Sequence, residues 1–364
     1  MTCTPDIFTI ANSIFNYLLM QKNKRKGQKV LALVMTACAA VMLLAGCQQG
    51  PAAPSKPAEQ VIREGMVKLT EITSYSYEVA FDGEVKDIEG AAIKFDVNLG
   101  GQVDVKDPKN PQVTLQVAGS GSDDKDNGGD GSFDLRLNKE ALYFNVAKLN
   151  LKGAGQIPSE VTDMFGKWWK ITLPPEAADE LARSVPQGEE SNFTPEQLKI
   201  KKAMEEANFF SKPVYVGVEN VRGENCYHYS VILDKKGFLD FLKKAGEAQG
   251  QAPTSDEMAQ AEKAFEKIDV TGDVYVGVDS GLLHKFSGVV KVTGTDAGEP
   301  SGTISLTMEV WDVGKPVTIQ VPKDATEFPI EQFLGPLMMG GAMPGGDESG
   351  LDMSVSGMED IGDF

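Results

Sequence analysis

Between positions 75 and 146 apolar side chains recur at every second residue. Tyr75, Tyr77, Val79 and Phe81 alternate with Ser76, Glu78, Ala80 and Asp82, and Ile93, Phe95, Val97 and Leu99 alternate with Lys94, Asp96 and Asn98. A period of two predicts strands with one buried and one wet face. The pattern runs on through Val113, Leu115 and Val117, then Phe133, Leu135 and Leu137, then Leu142, Phe144 and Val146, with turn-forming DPKNP and NKE segments between. These are antiparallel neighbours joined by hairpins, and Gly166 to Pro174 supplies a sixth strand. A helix is expected ahead of them, where Ile62, Met66, Leu69 and Ile72 or Thr73 recur at three and four residues.

The period changes again after Pro174. PPEAADELARS and TPEQLKIKKAMEEANFF read as helices, the second with a capping box from Thr194 to Gln197, proline at its first turn, and a stripe of Ile200, Ala203 or Phe210, Met204 and Ala207. Strands resume with PVYVGVENV and NCYHYSVILD. The short helices GFLDFLKKAG and TSDEMAQAEKAFEKI follow, the latter capped by Thr254 and Glu257. GDVYVGVDS, LLHKFSGVVKVTG and GTISLTMEVWDVG predict three long strands, and PVTIQVP a short last one. The pentapeptide VYVGV occurs at 214–218 and at 274–278, too little for an internal repeat. Eleven or twelve antiparallel strands with helices inserted in the middle define an α+β fold, a strongly curved sheet wrapped around those helices.

The N-terminus has a different plan. KNKRKGQK precedes an apolar run from Val30 to Gly46, shorter than the roughly 20 residues of a spanning helix, and Cys47 follows. A basic segment, an apolar run and small residues before a cleavage point read as a secretory signal. Residues 1–19 fit no such plan, and Met20 stands just before the basic segment, so translation is expected to start at Met20. Leu44-Ala45-Gly46-Cys47 resembles the lipobox of bacterial lipoproteins. That resemblance implies cleavage before Cys47, a diacylglycerol on its thiol, and a membrane anchor made by the lipid. Residues 1–46 are then the signal region, 47–60, rich in Pro, Ala and Gln, the lipidated cysteine and tether, 61–323 the curved-sheet domain, and 324–364 a Gly/Met/acid-rich tail expected to be mostly disordered, with a docking turn around Phe328 to Met339.

Charge narrows the partners. The whole chain carries 35 Lys and Arg against 53 Asp and Glu, a net charge of −18, and cleavage before Cys47 would leave 30 against 52, or −22. An acidic surface disfavours nucleic acid and anionic headgroups, and leaves membrane attachment to the lipid. Export to the outer face of the cytoplasmic membrane is expected, and Gln48 leaves outer-membrane sorting open where an outer membrane exists. Cys226 would be the one thiol left free, so a packed core rather than disulfides must hold the fold.

The layout of helix, six strands, helices and five or six strands, on a lipobox-bearing precursor, resembles the LolA/LppX-like lipoprotein carriers. ISLTMEVWDVGKPVTIQVP, at 304–322, is similar to the closing strand and ending of that group. The resemblance implies an unclosed β-barrel with helices on its concave side and an apolar hollow that holds the acyl chains of a lipid. Here one continuous apolar face is expected from Phe95, Val97, Leu99, Phe133, Leu135, Phe286, Val290, Ile304, Leu306 and Met308, with His284 pointing inward among them. The same pattern fits a hollow that binds or transfers an apolar ligand, and a face filled by helix stripes in a structural lipoprotein with an envelope protein as partner.

Catalytic chemistry is thinly supplied. The chain has two histidines and no nucleophile elbow, HExxH, Walker A or dinucleotide-binding glycine motif, so no enzyme activity, cofactor or metal is expected. His228 shares a strand face with Cys226 but lacks a third orienting group, and reads as a solvated histidine on the sheet surface. His284 reads as an inward histidine bonded to a backbone carbonyl. Asp123, Asp124, Asp126 and Asp130 fail the EF-hand spacing and read as an acidic hairpin tip, with weak binding of a divalent ion as the alternative. Trp168 and Trp169 should face opposite ways, one in the core and one exposed.

Overall fold

The computed structural model describes residues 53–86, 91–107, 109–124, 127–152, 162–174, 193–294 and 299–329. The signal region with Met20 and Cys47, the PPEAADELARS helix and nearly all of the tail lie outside the described residues. The chain divides into a compact unit, Met1–Thr326, and a second, Glu327–Phe364, of which 327–329 are described.

The first element is helix α1 (Ala58–Lys68), whose N-cap is Pro57, so the expected tether gives way to helix three residues before position 61. Strands β1 (Ser74–Lys86), β2 (Ala92–Asp104), β3 (Gln112–Asp123), β4 (Gly128–Leu137), β5 (Ala141–Lys152) and β6 (Trp169–Thr172) follow. Then come α2 (Pro195–Glu206), β7 (Phe210–Val221), β8 (Glu224–Leu233), α3 (Lys235–Ala248), α4 (Ser255–Glu266), β9 (Ile268–Gly277), β10 (Leu283–Val292), β11 (Ser301–Trp311) and the two-residue β12 (Thr326–Glu327). Both expected capping boxes are made: Thr194 and Gln197 open α2, and Thr254 and Glu257 open α4.

All twelve strands form one sheet in the order β12-β6-β5-β4-β3-β2-β1-β11-β10-β9-β8-β7. β1 and β11 pair antiparallel along eleven residue pairs, Ser76 opposite Trp311 to Lys86 opposite Ser301, so the two halves of the chain meet at the centre. Among the described residues β7 is an edge with no further neighbour, and the curved sheet stays unclosed. The edge carries Pro213 and two register shifts, devices that blunt further pairing.

The last expected strand is absent. Residues 316–322 are extended without a strand ladder, because their backbone groups find side chains instead. Val317 N donates to Asp104 Oδ2 at 3.1 Å and Ile319 N to Gln112 Oε1 at 3.1 Å, while Gln320 O accepts from Arg136 Nη1 at 2.6 Å. Asp104, Gln112 and Arg136 belong to the face of β2–β4 turned away from the helices, so this segment is a strap across the outward face.

Candidate functional site

Register places the expected apolar residues on one inner face. Phe81 lies opposite Val97 and Leu306, Val79 opposite Leu99 and Met308, and Phe286 opposite Met308. On β3 and β4, Val117 lies opposite Leu99 and Phe133, and Leu115 opposite Leu135. Register therefore puts Phe95, Val97, Leu99, Phe133, Leu135, Phe286, Leu306 and Met308 on one face of the sheet.

Their surroundings differ. α1 packs on β7, β9 and β10, α4 packs on β9, and α2 sits against α1 and α3. Beneath them Phe286, Val290, Ile304, Leu306 and Met308 are buried in one core with Ile62, Met66, Met204, Phe238 and Phe265. Gly65 lets α1 approach, since a Cβ there would lie 3.3 Å from Leu283 N and 3.4 Å from Val276 Cγ1. Those strand residues line a packed interior. Phe95, Val97 and Leu99 are half-buried at its margin, and Phe133 and Leu135 are half-buried outside it. Phe133 stacks on Phe144 of β5 with ring centroids 6.3 Å apart.

Further toward the β3–β4 hairpin the inner face loses its side chains. Gly119 opposes Gly131 and Gly121 opposes Gly129, between Phe95 and Val97 of β2 on one side and Leu149 and Leu151 of β5 on the other. This stretch, four glycines flanked by apolar side chains, is here called the trough; Ile93 and Leu151 beside it are 40% and 48% exposed. Near its other end Tyr77 keeps its phenol protonated, because burial, with Tyr75 beside it, raises its pKa.

His284 is buried at a bulge in β10. The β9–β10 register shifts between Leu283 and Lys285, and the extra residue is re-aimed. The ring is 6% exposed. Its Nδ1 lies 2.5 Å from Val310 O, an oxygen that can only accept, so Nδ1 carries the proton and donates. The reading as a carbonyl-bonded histidine holds.

His228 corrects its expectation. It is 9% exposed, on the outward face, with Nδ1 2.7 Å from Glu219 Oε1 and Nε2 2.8 Å from Asp273 Oδ1. Its ring stacks on Tyr275 at 4.5 Å. Both carboxylates come from neighbouring strands, β7 and β9. Burial, with Glu219 and Asp273 nearby, pushes the Tyr275 phenol up to about 12. Cys226 is fully buried, its Sγ 3.8 Å from Glu224 O, so it is not presented to a substrate.

The tryptophans are also corrected: both are half-buried. Trp169 Nε1 donates to Met164 O at 3.2 Å, and the Arg136 guanidinium covers Trp168 at 4.5 Å. At the acidic hairpin Asp123 accepts from Asn127 and Asp130 pairs with Lys148. Among the described residues no group of three or more His, Cys, Asp or Glu side chains is placed to hold a metal ion, and no helix is long and apolar enough to cross a membrane.

Strand order, open edge and helix placement define the class: an α+β half-barrel with helices on the concave side. No family model matches this sequence, and no curated protein matches it. Similar solved structures include the Mycobacterium tuberculosis lipoprotein LppX, 14% identical over 73% of this chain and 100% of that one, with a TM-score of 0.27. LprF from Mycobacterium bovis is 14% identical over 76% and 100%, with a TM-score of 0.31. A LolA superfamily protein from Nitrosomonas europaea is 8% identical over 74% and 96%, with a TM-score of 0.15. Two of these bear the names of the group that the layout resembles. At these identities and TM-scores the fold assignment stands on this chain's own strand order.

Proposed function

We propose that this chain is an exported lipoprotein, anchored through Cys47, that binds the acyl chain of a lipid without catalysis on the trough side of β2–β5. The carrying observation is the split of the inner face. The helices pack on β7, β9 and β10, and Val79, Phe81, Leu306 and Met308 of β1 and β11 are buried in the same core, yet the apolar alternation continues through Val97, Leu99, Val117, Phe133, Leu135 and Phe144, all half-buried. Apolar surface left in a concave face is a binding surface for an apolar ligand. The filled-core alternative fits the other half, where Phe286, Leu306 and Met308 are in helix contact.

Native mass spectrometry with organic extraction tests this on the chain expressed with export. Discrete adducts of lipid mass are expected, and Leu135→Trp and Phe133→Asp should each reduce them at least fivefold. A bare protein at its calculated mass, unchanged after incubation with a host lipid extract, would overturn the reading and turn attention to protein partners.

A further inference from the structure

The strap, through Thr318, Ile319 and Gln320, forms one wall of a cleft on the opposite face of the sheet. Its volume is about 800 Å³, within the range of small-molecule sites. The floor is the outward face of β1–β4, about 14 Å across from the strand spacing. One transverse row reads Trp311, Ser76, Gln102, Thr114, Arg136. The row above it has Glu78, Gly100, Gln116 and Asp134. Gly100 and, one row on, Ala118 leave the middle low, between Trp311 at one side and Arg136 at the other.

We propose that this cleft binds a neutral oligosaccharide. Gln116 offers an amide that donates and accepts; Asn98 and Gln102 each use one N–H on Asp96 and Ser76 and keep the amide oxygen and the second N–H, and the hydroxyls of Thr114, which accepts from Gln102 N, and Ser132 complete the mixed valence that vicinal sugar hydroxyls require. Among the described residues the Gln116 amide and the Asp134 carboxylate engage no hydrogen-bond partner, so both remain for a ligand. The Trp311 ring lines the cleft and is held by the Arg222 guanidinium stacked at 3.9 Å, a fixed apolar plate for the C–H face of a sugar ring.

Charge argues against other occupants. Asp134 and Asp312 face the cleft on a chain of net charge −18, which repels an anion. Arg136 is engaged by Gln320 O at 2.6 Å and by the Trp168 ring. An acyl chain would leave the amides unpaired. The cleft lies across the sheet from the trough side chains, and the two share strands, since Leu99, Val117, Phe133 and Leu135 also border the cleft.

Saturation-transfer NMR on the full chain, in a detergent without a sugar headgroup, would test the proposal with chitotetraose, maltotetraose and mannotetraose. Transfer to at least one tetrasaccharide is expected, lost at least fivefold in Gln116→Ala and in Trp311→Ala and kept in Val216→Ser on the edge strand β7. Unchanged thermal unfolding of Gln116→Ala keeps that result separate from misfolding. No transfer to any of the three at millimolar concentration, or transfer that both cleft variants leave intact, would overturn the site. Transfer to decanoate that Gln116→Ala removes would overturn it as well, by making the cleft an apolar one.

Discussion

Arg222 and Glu309 lie 87 positions apart and are joined by a 2.6 Å bond from the Arg222 Nε to a Glu309 carboxylate oxygen. Arg222 and Gly223 form the two-residue turn between β7 and β8, both with positive φ, 49° and 93°, the geometry that matches strand twist in a tight hairpin. From that turn the guanidinium also reaches Glu78 at 2.5 Å and stacks on Trp311. Glu309 takes a second bond from Lys285 at 2.8 Å. The edge hairpin is thus tied to β11 and β1, the seam between the two halves of the sheet.

Removing that tie should weaken the fold by a modest, measurable amount. Arg222 is 39% exposed, so solvent screens much of the attraction and Arg222→Ala should cost about 1 kcal/mol. Arg222→Lys should recover less than half, because an ammonium cannot serve two carboxylates and a ring from one plane. Glu309 also sets a pH dependence. Burial raises its pKa, but bonds from Lys285 and Arg222 outweigh that and hold it below the usual carboxylate value. A depressed folded pKa means stability that is complete above the unfolded value, about 4.3, and lost as pH falls through the folded one. Thermal unfolding followed between pH 6 and pH 3 should show the midpoint falling below about pH 5, with a shallower fall in Glu309→Gln.

The split of the inner face predicts unequal penalties for the same substitution. Leu306 is 2% exposed in the core, so Leu306→Ala should cost about 2–5 kcal/mol. Leu135 is half-buried outside it, and Leu135→Ala should cost about 1 kcal/mol or less, in line with the smaller area it hides. Urea unfolding of both variants checks this. Equal losses would mean that the trough is as tightly packed as the core.

Alternation revealed the strands and the inner face, and it could not reveal what covers them. VYVGV makes the point: at 214–218 Val214 and Val216 are 62% and 55% exposed on the edge strand, whereas Val274 and Val276 in the second copy are fully buried beneath helices. The same five residues present opposite sides because their neighbours differ, and neighbours across a sheet are far away in sequence. His228 shows the same limit, its partners Glu219 and Asp273 lying 9 and 45 positions off. PVTIQVP alternates like a strand, yet Asp104, Gln112 and Arg136 satisfy its backbone, and no local signal marks that long-range exchange.

Gly65 offers a direct probe of helix docking. A glycine inside a helix is ordinarily a weakness of about 1 kcal/mol relative to alanine, so its place on the buried side of α1 needs a packing reason. The 3.3 Å and 3.4 Å separations supply it: a Cβ just touches the sheet, and the two γ-methyls of valine have no space. Gly65→Val should therefore lower stability by about 1–3 kcal/mol. Thermal unfolding would show it, and a neutral result would mean that α1 stands off from β9 and β10.

The strap is held by a few bonds and can be loosened without unfolding the sheet. Lys106 Nζ donates to Gly314 O at 2.6 Å where the strap leaves β11, and Ser74 Oγ bonds Lys315 O. Beyond that point Asp104, Gln112 and Arg136 hold it. Each such bond contributes about 0.5–1.5 kcal/mol, more where a charge takes part. Asp104→Ala removes the acceptor of Val317 N, and Arg136→Ala removes the donor to Gln320 O. The double variant should raise amide hydrogen exchange at Val317 and Ile319 by at least tenfold through local opening. Exchange at Phe286 and Leu306, deep in the core, should stay unchanged, as should the global unfolding midpoint to within a few degrees. Exchange that rises equally in strap and core would mean that the strap is part of the cooperative sheet, and that the outward cleft has no independently movable wall.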